Sequence, residues 1–288
     1  MIINDDYYEV MVLEGSKVIE KLACMIAQNE PAALVTVVES SGSTPRGPGS
    51  MMLVDKKGVL LEGTIGGGIL EERAKSDAAE CLRVKESKLF FYELGAENEK
   101  SLPMICGGNI RYFVKVFPKK KRLIIIGAGH VGEKLCKMAN ILGYTIIVVD
   151  DRENRATKEN FPEASQLLVG DILENLRKVS IDENTCIVIV THAHKYDQAV
   201  LEAVIDSNAL YIGMIGSVSK VRTCFENLRE KGISNELIGK VYSPIGLDIG
   251  GESPEEIALS IMAQIQAITY NKSVPHMKYI MKQKNQEG

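Results

Sequence analysis

Apolar and polar positions follow one rhythm up to about residue 118 and another beyond it. Val10, Leu13, Val18, Leu22 and Met25 recur at helical spacing and Pro31 follows, which predicts one long helix over 5–29. Residues 32–39 are a β-branched run and predict a strand, while 40–49 hold Ser, Gly, Thr, Pro and Arg and read as a loop. Runs at 51–54 and 59–64 flank Lys56-Lys57-Gly58 and predict a hairpin. Gly66, Gly67 and Gly68 lead into a helix from 69 to about 86. Strands follow at 89–94 and 110–117, with a polar loop at 95–103 between them, and Pro118 closes the module. This reads as an α+β domain over residues 1–118.

Past Lys119-Lys120-Lys121-Arg122, a short charge run that reads as a solvated linker, strands and helices alternate. The strands fall at 123–126, 145–149, 166–169, 186–190 and 210–214, and the stretches between them are helical. Such alternation predicts a parallel sheet covered on both faces, so residues 119–288 read as a Rossmann-like domain and the whole chain as α/β. Ser253-Pro254-Glu255-Glu256 carries an N-cap, a first-turn proline and a capping-box acid, and starts a last helix that ends near Tyr270.

A length of 288 residues is enough for two cores. The net charge of −4 and the lone basic run argue against nucleic acid as a partner. No apolar run reaches the roughly 18 residues of a membrane span. The first residues carry acids where a signal peptide carries bases, so a cytoplasmic protein is expected. The six cysteines form no C-x-x-C pair, which argues against a zinc ribbon or a disulfide scaffold. Five of them fall in helix or strand patterns and read as small buried hydrophobes. The sixth, Cys106, sits in Pro103-Met104-Ile105-Cys106-Gly107-Gly108, which has no helical period.

Several motifs are suited to chemistry. Gly127-Ala128-Gly129-His130-Val131-Gly132 follows a strand and opens a helix, and Asp150 ends the next strand about 20 residues on. That spacing lets amides approach a pyrophosphate, with Asp150 on a ribose diol. The alternative is that Asp150 caps the following turn. His130 either faces a ligand or caps the glycine turn. His192 and His194 follow a strand end, where ligands of such sheets bind, and Asp197 is spaced to orient a histidine ring. Gly216 is either a phosphate contact or a tight turn, with Lys220 and Arg222 weighing toward an anion. In the first module, Ser43 and Arg46 belong to a hydroxyl-rich loop that can hold an anion. Gly66, Gly67 and Gly68 permit close approach by a phosphate, or serve a helix start that Glu71 and Glu72 already complement. Cys106, beside Gly107 and Gly108, is either a nucleophile and soft-metal ligand or a small buried filler.

Glu39-Ser40-Ser41-Gly42-Ser43-Thr44-Pro45-Arg46-Gly47-Pro48-Gly49, Gly63-Thr64-Ile65-Gly66-Gly67-Gly68, Met104-Ile105-Cys106-Gly107-Gly108, the Gly127 fingerprint, Ser243-Pro244-Ile245-Gly246-Leu247-Asp248-Ile249-Gly250 and Pro254-Glu255-Glu256-Ile257-Ala258 together resemble the XdhC/CoxI family of xanthine dehydrogenase accessory proteins. The resemblance runs in order through nearly the whole chain. It implies a protein that binds molybdenum cofactor, as molybdopterin or its dinucleotide form, and assists its sulfuration. It further implies insertion into a xanthine dehydrogenase-type molybdenum hydroxylase, with a cysteine desulfurase or another sulfur donor as a second partner. On that reading Cys106 contacts the metal or the transferred sulfur, the loops in the 40s and 60s hold the pterin side, and the Rossmann half holds a nucleotide. The chain is short for a hydroxylase and lacks cysteine sets for iron–sulfur clusters, so an accessory role rather than the enzyme is implied. Two other readings stay open: an NAD(P)-dependent oxidoreductase using His194 or Cys106, and a non-catalytic module that senses a nucleotide. A homodimer is the expected assembly on general grounds.

Overall fold

The computed structural model describes residues 5–95, 101–102, 108–192 and 194–276, with side chains at 15–95, 108–192 and 196–276. It divides into two compact units, Met1–Lys119 and Lys120–Gly288. Among the described residues no helix is long and apolar enough to cross a membrane.

The first unit runs α1 (Asp5–Ala27), β1 (Ala32–Gly42), β2 (Met51–Asp55), β3 (Leu60–Gly63), α2 (Gly68–Val84), β4 (Lys88–Leu94), β5 (Ser101–Leu102) and β6 (Gly108–Phe117). Its six-stranded sheet has the order β3-β2-β1-β6-β4-β5, antiparallel except for the β4–β5 pair. Alternation sends Ala33, Val35, Val37, Ile110, Tyr112 and Val114 to one face, where they pack on Leu70, Ala74, Ala78 and Cys81 of α2. On the other face, Val18 and Leu22 of α1 cover Ala32 and Leu53. The sheet extends further than the sequence predicts. Ser40, Ser41 and Gly42 continue β1 by pairing with Ile110, Asn109 and Gly108, and β5 lies inside the predicted polar loop. Cys24 is exposed rather than buried, because it falls on the outer side of α1, while Cys81, Cys136, Cys186 and Cys224 are buried as expected.

The second unit runs β7 (Arg122–Ile126), α3 (His130–Ile141), β8 (Thr145–Asp150), β9 (Gln166–Val169), α4 (Ile172–Arg177), β10 (Thr185–Ile189), α5 (His194–Val204), β11 (Tyr211–Met214), α6 (Val218–Glu230), α7 (Asn235–Gly239), β12 (Val241–Tyr242) and α8 (Pro254–Thr269). All its strand pairs are parallel, in the order β12-β11-β10-β7-β8-β9. Alternate residues of β7 feed opposite cores. Leu123 and Ile125 pack toward Leu135 of α3 and Ile261 of α8, while Ile124 and Ile126 pack toward Leu201 of α5 and Leu228 of α6. The strand order reverses between β7 and β10, the point at whose carboxyl ends sheets of this kind bind ligands. The predicted linker is shorter than expected. Arg122 already belongs to β7 and donates to the Ser180 carbonyl, and Lys121 lies 4.3 Å from the centre of the Tyr270 ring. The capping box at Ser253 and Glu256 forms as its spacing predicts.

Candidate functional site

Three segments of the first unit meet at one end of its sheet. β1 ends at Gly42, directly opposite Gly108 of β6. Gly108 lies so close to the loop in the 40s that a Cβ there would stand 2.5 Å from the Ser41 carbonyl and 3.2 Å from the Ser43 amide. Gly66, with φ 126°, lies under Pro45, whose Cβ a side chain at 66 would approach to 2.4 Å. Glycine is therefore required at 66 and 108 for the loops to touch. Arg46 is half-buried in the same loop and Ser43 is exposed. Cys106 and Gly107 lie outside the described residues, and Gly108 directly follows them.

The glycine turn at 66–68 is arranged for capping. The Gly66 amide donates to Thr64 Oγ1 at 3.1 Å, and the Gly67 amide to Glu71 Oε2 at 3.2 Å. Thr64 Oγ1 also donates to Glu71, at 2.5 Å. A carboxylate thus already occupies the start of α2, where the phosphate reading would put an anion. A Cβ at Gly67 or Gly68 would meet nothing within 4 Å among the described residues.

In the second unit the expected residues gather at the carboxyl ends of the strands. Gly127 has φ 122° and presses on the end of β10, where a Cβ would lie 2.3 Å from the Val190 carbonyl. Gly132 is needed for the same turn, since its Cβ would lie 2.3 Å from the Gly127 carbonyl. Gly129 is different: it caps α3 with extended backbone and offers no capping side chain, and a Cβ there would meet nothing within 4 Å among the described residues. His130 is exposed beside it.

Asp150 serves this turn rather than standing open to a ribose. It is 1 % exposed, and its Oδ2 accepts the Ala128 amide at 2.5 Å. Both its oxygens are held by the Arg152 side chain, at 2.8 Å each. Burial pushes the Asp150 carboxyl up, but the hydrogen bonds from Arg152 and Ala128 outweigh burial and hold it below the usual carboxylate range. A carboxyl depressed on folding stabilises above its unfolded value, and that stabilisation is lost as pH falls through the folded value. The second unit is therefore expected to lose stability as pH drops below about 4. Denaturant midpoints followed from about pH 7 to about pH 3 check this: the decline should be shallower in Asp150→Asn, and parallel curves would contradict it.

Asp197 also has partners other than those its spacing suggests. Its carboxylate, 1 % exposed, accepts from Thr191 Oγ1 at 2.5 Å and pairs with the Lys220 ammonium. Lys220 is therefore committed to a buried acid instead of to an anion at Gly216, and its chain passes 3.2 Å from a Cβ position on that glycine. The His194 side chain lies outside the described ones. His192 is exposed, with Nδ1 3.9 Å from Asp151 Oδ1. Donor atoms of Asp150, Asp151 and His192 lie within 4.8 Å of one another. Spacing alone does not single out Asp151 in this group, although its position after a strand end is a usable signal.

Residues 123–265 match the XdhC Rossmann domain, and residues 25–93 match the XdhC and CoxI family. The chain is 32% identical over 245 residues to the uncharacterized protein YqeB of Escherichia coli (strain K12), covering 85% of this chain and 44% of that protein. It is 32% identical over 153 residues to a probable xanthine dehydrogenase subunit of Bacillus subtilis (strain 168), covering 53% and 44% respectively. It is 21% identical over 272 residues to the molybdenum cofactor insertion chaperone PaoD of Escherichia coli (strain K12), covering 82% and 83%. The chain thus spans less than half the length of the first two relatives and most of the third. The two family matches follow one another through both units, and on that ground the chain belongs to the XdhC and CoxI family.

Proposed function

We propose that this protein binds molybdenum cofactor as cargo and inserts it into a xanthine dehydrogenase-type molybdenum hydroxylase. The observation that carries the reading is the meeting of the loop in the 40s, Gly66 and Gly108 at one end of the first unit's sheet, with Cys106 two residues before Gly108. A thiolate suits molybdenum or a transferred sulfur. Hydroxyls, backbone amides and Arg46 suit the phosphate-bearing pterin. Likeness to an insertion chaperone over most of both chains supports the cargo, and likeness to part of a probable xanthine dehydrogenase subunit supports a link to that class of enzyme. In this reading a cysteine desulfurase or another sulfur donor supplies the terminal sulfur while the cofactor is held, and Cys106 faces the metal end.

A second, compatible reading puts a nucleotide at the Gly127 turn. It is favoured by the open start of α3 at Gly129. The nucleotide is either that of the cofactor's dinucleotide form or NAD, and Asp150 would not hold its ribose unless Arg152 released it.

Cys106→Ala tests the first reading. Cofactor-dependent activation of the client hydroxylase should fall about tenfold or more, in line with the loss of a metal-site group. Unchanged activation and unchanged cofactor retention would overturn the role of Cys106.

A further inference from the structure

The strand that carries the family's first motif changes face just before that motif. Val35 and Val37 point into the core under α2. With simple alternation Glu39 and Ser41 would follow them inward. Instead the β1–β6 register shifts between Val37 and Glu39, where one extra residue, Val38, forms a bulge. Beyond it Glu39 stands opposite Arg111 and Ser41 opposite Asn109, so both turn to the outer face of the sheet. Bulges commonly re-aim side chains next to sites.

The re-aimed residues line a cleft of about 210 Å³ with Phe91, Asn109, Ile110 and Arg111. Arg111 Nη1 donates to Glu39 Oε2 at 3.0 Å. The Arg111 guanidinium also lies 5.3 Å from the centre of the Phe91 ring, which is 40% exposed. One row across three strands therefore presents an aromatic ring, a planar cation and a carboxylate, with an amide and a hydroxyl in the next row. The cleft is below the roughly 300–1,000 Å³ of sites that enclose a drug-sized ligand, so it takes one flat ring system and not a dinucleotide.

We propose that this cleft receives the pterin ring of the cofactor, a proposal that rests on the cargo assigned under Proposed function. The pyrimidine edge of a pterin offers an amino group and a ring N–H side by side, which match the two oxygens of Glu39. Its oxo group matches the guanidinium of Arg111, and its face matches Phe91 and the guanidinium plane. Asn109 follows Cys106 by three residues. Three residues of chain span at most about 11 Å, so the motif that carries the thiol is close to the cleft along the chain.

The test titrates the full chain with 6-hydroxymethylpterin, followed by pterin fluorescence, with adenosine as a competing ring. The wild type should bind the pterin and resist adenosine. Glu39→Gln should weaken pterin binding about tenfold, since one ring donor loses its charged acceptor. Arg111→Lys, which keeps the charge and loses the plane, should weaken it similarly. Equal affinity in wild type and Glu39→Gln would reduce the cleft to a surface ion pair and overturn the proposal, as would equal displacement by adenosine. Retention of molybdenum cofactor separates the two ideas. Equal retention by wild type and both variants removes the cleft from the site while the cargo stands. No retention by the wild type removes the cargo, and the free-pterin titration still decides the cleft.

Discussion

Replacing Asp77 with alanine is expected to destabilise the first unit by about 2–4 kcal/mol, the cost of leaving two buried hydroxyls without their shared acceptor. Asp77 Oδ2 accepts from the Tyr92 hydroxyl at 2.7 Å and from the Tyr112 hydroxyl at 2.6 Å. Arg73 Nε lies 3.3 Å from the other oxygen, and the Asp77 side chain is 8% exposed. Burial, helped by hydrogen bonding to Asp77, pushes the Tyr112 phenol far above its ordinary range, so it stays a donor at any ordinary pH. Alanine would leave two hydroxyls without their acceptor between α2 and the sheet. Asp77→Asn, which keeps an acceptor oxygen, should cost less, and Tyr92→Phe about 1 kcal/mol. Urea unfolding checks all three; the chain has 10 tyrosines and no tryptophan, so tyrosine emission is a direct probe. A loss below about 1 kcal/mol in Asp77→Ala would contradict the network's importance. The network also pins the helix whose first turn carries Glu71, next to Gly66, so this change should reach the site.

Gly127→Ala is expected to cost the second unit about 4 kcal/mol, or to prevent its folding. The position has φ 122°, which a side chain rarely adopts, and the atom it would strike is the Val190 carbonyl, fixed at the end of the neighbouring strand. No side chain can move aside there. Gly129→Ala is the control within the same fingerprint. Its backbone has φ −89°, and among the described residues nothing lies within 4 Å of the new methyl. Its stability should change by no more than about 0.5 kcal/mol. Thermal unfolding of the two variants side by side checks the contrast, and equal losses would contradict it. The first glycine thus serves the fold. The second keeps the helix start open, so a nucleotide there would be weakened by Gly129→Ala without a loss of stability.

The second unit is legible in the sequence because its signals are local. The glycine spacing, the buried apolar strands and the capping box at Ser253 each follow from a few neighbouring residues. The end of β1 is less legible, because the bulge at Val38 depends on pairing with β6, whose Arg111 lies 72 residues from Glu39. Arg111 and Phe91 are ordinary outward positions until that pairing sets them beside Glu39. Asp77 has the pattern of a polar helix position, since Tyr92 and Tyr112 reach it from 15 and 35 residues away. At Asp150 and Gly67 two roles fit the sequence, and the choice falls to the side chains of Arg152 and Glu71, of which only Glu71 has a first-turn position that hints at its role. Cys106 lies outside the described residues, so its role stays the proposal that the motif supports.

Binding of the cargo itself tests the account most directly. The anaerobically purified chain would be incubated with molybdenum cofactor and, separately, with NAD. Ultrafiltration and quantitation of retained pterin, molybdenum and nucleotide would follow. The account predicts that pterin and molybdenum are retained together in stoichiometric amount and are largely lost in Cys106→Ala. Retention of NAD with no pterin would contradict it and make the Rossmann unit, as an oxidoreductase, the centre of function.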